Sequence, residues 1–174
     1  MDRLTALLLD ARDGSAPALE RLVAETQPTI WRFCAHLVGP DCADDATQET
    51  FVAAWSALPS WRAECSARTW LFLLARRSSE RVGRRHRRWK DLARSAPSPS
   101  PSRDPAAASE IEALLSELDP ERRAAIVLTQ VLGFTYAEAA DICQCAVGTI
   151  RSRVARAREQ LLALEDEGRA SALP

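Results

Sequence analysis

Four arginines crowd one short stretch near the end of the chain: Arg151, Arg153, Arg156 and Arg158. A guanidinium is a permanent cation with a planar fork of donors. That fork suits phosphate oxygens and the acceptor edge of guanine. Ile150, Val154, Ala157 and Leu161 are spaced four, three and four apart, which places them on one stripe of a helix. The opposite side then shows Gly148, Thr149, Arg151, Ser152, Ala155 and Arg156. Small residues at a helix start let the backbone approach a phosphate, and the N-terminal dipole favours that anion.

Such a helix needs a platform, and the preceding residues supply one. Thr135 and Glu138 are three apart, the spacing of a capping box that starts a helix. Ala139, Ala140 and Cys143 give that helix a small apolar face for close packing. Gln144, Cys145 and Ala146 form a break, and a second helix runs from about Val147 into the Leu161 region. Two short helices around a tight turn, the second rich in arginine, are helix-turn-helix logic with the second helix as reader. The competing reading is a solvated basic face. Box, turn and stripe in sequence favour nucleic-acid binding.

The chain has 174 residues, 47% hydrophobic and 27% charged, with a formal net charge of −1. This is ordinary for a folded protein, so the whole chain is no polycation. The charges are segregated instead. Arg76, Arg77, Arg81, Arg84, Arg85, Arg87, Arg88, Lys90 and Arg94 are opposed locally only by Glu80 and Asp91. Acids gather at Asp41, Asp44, Asp45 and Glu49, and again from Glu110 to Glu121. Such asymmetry suggests one surface for nucleic acid and another for a protein partner.

No apolar run is long enough to cross a membrane. Leu7, Leu8 and Leu9 lack the basic start and cleavage site of a signal peptide, so a cytoplasmic protein is expected. Five scattered cysteines, Cys34, Cys42, Cys65, Cys143 and Cys145, do not suggest a disulfide framework. Core thiols are favoured over metal ligands, and no cofactor is called for. An enzyme is the poorest fit, because no nucleophile–base pair, phosphate loop or metal cluster is visible.

Along the chain, residues 2–12 read as a short apolar helix ending near Asp13-Gly14. Ser15 caps a longer one, with Leu19, Leu22, Val23, Ile30, Phe33 and Leu37 at helical spacing. Pro28 inside it is a residue able to kink it, and Gly39-Pro40 stops it. Asp41, Asp44 and Asp45 are expected in the first turn of a third helix, whose buried stripe is Thr47, Phe51, Ala54 and Leu58. Asp45 and Glu49 project from one side, with Asp44 and Gln48 beside them. That side is either a solvated acidic face or a docking surface for a basic partner.

Pro59 ends the helix, and Ser60 to Arg68 form a loop. Trp70, Leu71 and Leu74 face a core, and Phe72 and Leu73 close against another helix. From Arg76 the helix turns basic, with Trp89 among the arginines. Trp89 either stacks on an unpaired base or caps the core. The segment SAPSPSPSRDPAAA is too rich in proline and serine to fold alone and reads as a tether. Beyond it, Ile111, Leu114, Leu115 and Leu118 mark one helix. Asp119-Pro120 caps another, running from Glu121 to Leu132. Glu165 to Pro174 lacks a clear pattern and is expected to fray.

Two segments together resemble the extracytoplasmic-function (ECF, group IV) sigma factors of the bacterial sigma-70 family. One is DDATQETFVAAWSALPSW, Asp44 to Trp61, followed by TWLFLLARR. The other is LDPERRAAIVLTQVLGFTYAEAADICQCAVGTIRSRVARAREQL, Leu118 to Leu161. The phrase CQCAVGTIRSRVARAR is similar to the sigma-C-like actinobacterial subgroup.

The resemblance implies an all-α fold of two small helical domains. A region 2 domain spans residues 1–94, a linker 95–109, and a region 4 domain 110–174. It implies core RNA polymerase and promoter DNA as partners, an anti-sigma factor as a further one, no cofactor, no membrane insertion and no covalent chemistry. By matching position, Asp44, Asp45, Gln48 and Glu49 dock on the clamp helices of the largest polymerase subunit. Region 4 meets the flap of the second-largest. Trp61, Arg62, Ala63, Glu64, Cys65, Ser66 and Ala67 form the loop that captures a base of the minus-ten element.

Arg77 sits where many members place an asparagine against that base, and Arg81 where an acid is common. Arg84, Arg85 and Arg88 hold backbone phosphates of the melting DNA. Gly148, Thr149, Arg151, Ser152, Ala155 and Arg156 read the minus-thirty-five element. Glycine is common in the family at Gln144, and serine or proline at Ala146. A stand-alone helix-turn-helix regulator is the alternative the same residues allow.

Overall fold

The computed structural model describes residues 2–94 and 110–171, and every regular element among them is helical. Two compact units are present, Met1–Trp89 and Lys90–Pro174. The Pro/Ser-rich tether expected at 95–109 lies outside the described residues.

The first unit begins with α1, Arg3–Arg12, whose N-cap is Asp2. The Asp2 carboxylate accepts the Thr5 N–H at 3.0 Å, and hydrogen bonds from Thr5 hold its pKa below the ordinary value. The Thr5 hydroxyl in turn accepts the N–H of Ala67 at 3.0 Å, tying α1 to the start of α4. Ser15 caps α2, Ala16–Val38, as its side chain allows. This helix runs on through Pro28. Gly39, at φ 83°, makes a corner that side chains rarely adopt, and Pro40 opens α3, Pro40–Ala57, at its first position. Because α3 starts at Pro40, only Asp41 lies in its first turn; Asp44 and Asp45 sit further in. A 3₁₀ turn, Leu58–Ser60, closes α3 before the loop to α4, Ala67–Arg94.

Burial shows why these helices associate. Leu8, Leu22, Ile30, Phe33, Leu71 and Val82 are almost wholly enclosed. Phe33 and Phe72 meet with ring centroids 5.2 Å apart, tilted at 52°, a favourable aromatic geometry. Ala43, Ala46 and Ala75 are fully buried, so small side chains permit close helix packing. Of the stripe expected on α3, Thr47, Ala54 and Leu58 are buried and Phe51 is half-buried. On α4, Leu71, Phe72 and Leu74 are buried, and Trp70 and Leu73 are half-buried.

In the second unit, α5 spans Glu110–Ser116 and α6 Pro120–Ile126. Asp119 caps α6 by accepting from the N–H groups of Glu121 and Arg122 at 3.1 and 3.0 Å. Arg123 donates to the carbonyls of Ser116 and Leu118 at 2.7 and 2.9 Å, satisfying groups that the end of α5 leaves open. Burial of this guanidinium lowers its pKa.

The single helix expected from Glu121 to Leu132 is divided. Val127–Val131 form a π turn, with Leu132 N–H donating to Val127 C=O five residues back at 3.0 Å. Leu115, Leu118, Ala125, Val127, Leu128 and Phe134 build the core, but Ile111, expected on the same stripe, is exposed. Then follow α7, Tyr136–Cys143, and α8, Val147–Ser171. The end of α8 corrects the expectation of fraying from Glu165, since the helix continues to Ser171.

Gln144, at the break between α7 and α8, takes the left-handed conformation at φ 50°, ψ 49°. Its N–H donates to Ala140 C=O, and Cys145 N–H donates to the same carbonyl at 3.0 Å, a Schellman-type ending. A side chain there costs about 1–2 kcal/mol that glycine avoids, against about 0.4–1 kcal/mol of added unfolded-state entropy. Gln144→Gly should therefore stabilise the second unit by about 0.5–1 kcal/mol, read as a rise in thermal midpoint of a few degrees.

Candidate nucleic-acid and protein interfaces

The helix-turn-helix forms as its local chemistry dictates. Thr135 Oγ1 accepts the Glu138 N–H at 3.2 Å, and a Glu138 carboxylate oxygen accepts the Thr135 N–H at 2.8 Å, completing the capping box. Ala139, Ala140, Ile142 and Cys143 of α7 are buried. Ile150, Val154 and Ala157 of α8 are buried too, while Leu161 is half-buried. The far face carries Gly148, Arg151, Ser152, Ala155 and Arg156, all exposed, with Thr149 half-buried. A side chain at Gly148 would meet nothing within 4 Å, so the N-terminal turn of α8 is open to an approaching ligand.

Arg151, Arg153, Arg156 and Arg158 of α8 divide into two pairs with different work. Arg153 bridges to Glu121 of α6 at 2.8 Å and reaches the Cys145 sulfur at 3.5 Å. Arg158 donates to Gln130. These two are engaged with neighbouring elements of the same unit. Arg151 and Arg156 pair with no carboxylate among the described residues, and both project from the open face. Their sequence positions gave no sign of this division. It depends on where α6 and the π turn lie.

In the first unit, the loop expected to hold a base separates into anchors and tip. Trp61 is buried and packs on Trp70, centroids 5.6 Å apart. Ala67 is fully buried and starts α4. Between them Arg62, Ala63 and Glu64 are exposed, and Cys65 and Ser66 half-buried. Ser66 Oγ accepts the Thr69 N–H at 3.1 Å, capping α4. Ala63 holds a positive φ of 56°, an uncommon conformation at a loop tip for any residue with a Cβ. The part able to touch a ligand is therefore residues 62–66.

On α4, Arg77, Arg81, Arg84, Arg85 and Arg88 are all exposed. Trp89 is 63% exposed, which rules out its capping the core, and its ring stacks on His86 at 6.4 Å. On α3, Asp44 accepts the Trp31 indole N–H at 2.8 Å, while Asp45 and Gln48 are exposed. Glu49 receives Arg85 at 2.7 Å and Arg81 at 3.7 Å. That hydrogen bond and the adjacent negative charge raise the Arg85 pKa.

A groove beside these groups is lined by Gln48, Glu49, Val52, Ser56, Leu74 and Arg81. Val52 and Trp55 on the outer side of α3 are about three-fifths exposed. This apolar patch was missed in the sequence, although Gln48, Val52 and Trp55 recur at helical spacing. Among the described residues no group of three or more His, Cys, Asp or Glu could hold a metal ion, and no helix is long and apolar enough to cross a membrane.

Comparison with known proteins agrees with this layout. Residues 22–89 match sigma-70 region 2, and residues 108–161 match sigma-70 region 4. The ECF RNA polymerase sigma factor SigC of Mycobacterium tuberculosis is 42% identical, over 93% of this chain and 91% of its own. A solved structure of CnrH with the cytosolic domain of CnrY superposes with a TM-score of 0.74 at 30% identity, covering 95% of this chain and 99% of that one. The sigma factor RpoE of Bartonella quintana, solved with the anti-sigma factor NepR, gives a TM-score of 0.70 at 30% identity, covering 85% and 96%. With both regions present in order and a full-length relative at this identity, the chain belongs to the ECF sigma factors of the sigma-70 family.

Proposed function

We propose that this chain binds core RNA polymerase and directs it to promoters, acting in the cytoplasm and contributing no covalent chemistry. The observation that carries this reading is the exposed Arg151 and Arg156 face of a complete helix-turn-helix, on a chain that also carries a region 2 unit. In this reading α8 reads the minus-thirty-five element and the loop tip 62–66 receives a minus-ten base. Arg77 lies against that base, Arg84, Arg85 and Arg88 hold phosphates, and Trp89 stacks on an unpaired base.

Asp45, Gln48 and Glu49, with the Val52 and Trp55 patch beside them, meet the clamp helices of the largest subunit. The second unit meets the flap of the second-largest. Residues 95–109 serve as the linker between domains 1–94 and 110–174. CnrH and RpoE were solved with CnrY and NepR, which supports an anti-sigma factor as a further partner of this chain.

A gel shift on promoter duplex with and without core enzyme tests the reading. Weak binding by the chain alone and specific binding with core are expected. Tight, specific binding without core would instead mark a stand-alone regulator.

A further inference from the structure

Two sets of residues that serve different macromolecules satisfy one another in this structure. Glu49 and Asp45 lie on the face assigned to a protein partner, and Arg81 and Arg85 on the face assigned to DNA. Arg85 Nη1 lies 2.7 Å from Glu49 Oε1, and Arg81 Nε lies 3.7 Å from Glu49 Oε2. Arg85 Nη2 is 3.9 Å from Asp45 Oδ2. Glu49 is the hub of the cluster, with 29% of its side chain exposed, while the two arginines are 53% and 61% exposed. A guanidinium held by a carboxylate attracts a phosphate less, and a carboxylate held by two guanidiniums attracts a basic partner less. All four groups remain accessible enough to exchange partners.

We propose that Glu49, assisted by Asp45, is an electrostatic latch. In the free chain it occupies Arg81 and Arg85; a basic helical surface that takes up the carboxylates releases both guanidiniums to DNA phosphates. This rests on the reading of α3 as the docking helix for core polymerase. The latch makes the two binding events cooperative, and linkage requires the coupling to be the same in both directions. It also gives a physical reason for a free chain to hold DNA weakly: two of its cations are already engaged. Exposed ion pairs are weak, so the coupling is a modulation and not an on–off switch.

The test uses the full chain and a short fluorescein-labelled DNA duplex, followed by anisotropy across a salt series. Glu49→Gln should tighten binding about three- to tenfold and steepen the salt dependence by about one to two phosphate contacts. In an Arg81→Gln/Arg85→Gln background, Glu49→Gln should change nothing. Asp44→Asn, which removes the same charge from the same helix at a carboxylate bonded to Trp31, should alter affinity by less than about twofold.

No change on Glu49→Gln, an equal gain in the double-arginine background, or an equal gain from Asp44→Asn would each overturn the latch. In a second arm, Arg81→Gln/Arg85→Gln should tighten binding of the chain to core polymerase by a similar factor. If core captures none of these forms, the docking reading itself falls, whatever the DNA arm shows.

Discussion

Arg151→Ala together with Arg156→Ala should reduce promoter-dependent transcription by the reconstituted polymerase on the order of a hundredfold. Both side chains stand on the open face of α8 and pair with no described carboxylate, so their loss leaves the fold intact. A good bidentate contact to a base contributes about 1–3 kcal/mol of discrimination, and on the proposed reading of α8 two are removed at once. The thermal midpoint should stay within about two degrees, since exposed substitutions rarely shift stability by more than about 0.5 kcal/mol. Arg153→Ala provides the contrast. It breaks the bridge to Glu121 and the contact with Cys145, so it should lower stability and leave the preferred sequence unchanged. Run-off assays on a library of minus-thirty-five variants would separate the two effects.

Phe33→Ala should destabilise the first unit by about 3–5 kcal/mol. Its ring is fully enclosed and packs on Phe72 at 5.2 Å, in a core that also buries Leu8, Leu22, Ile30 and Leu71, so its removal leaves a cavity. A loss of that size takes a large part of the stability of an ordinary domain. Denaturant unfolding should show a clear drop in midpoint. Trp55→Ala on the same unit, from a position three-fifths exposed, should shift it little. A Phe33→Ala protein with an unchanged midpoint would mean that the Phe33–Phe72 contact is not central to the core.

What was legible in the sequence was local. The Thr135–Glu138 box, the Ser15 and Asp119 caps and the Ile150–Val154–Ala157 stripe depend on residues within one or two turns, and all formed. What was hidden depends on register between distant elements. Glu49 and Arg85 are 36 residues apart, and nothing in either neighbourhood says they meet. The same holds for Trp31 with Asp44, and for the division of the α8 arginines, which required knowing where Glu121 and Gln130 sit.

The π turn at Val127–Val131 lay inside a run whose apolar spacing suits an ordinary helix. Gln144 is informative in another way. Glycine is the usual residue for such a left-handed turn, yet the chain holds that conformation with a side chain present. The helices on either side fix the turn.

The most direct test is run-off transcription with purified core polymerase, on templates drawn from the organism's own promoters, with and without this chain. Products with defined start sites that require the chain, and that disappear when Arg151 and Arg156 are replaced, are the predicted result. Core enzyme that neither binds the chain nor initiates at any promoter in its presence would contradict it.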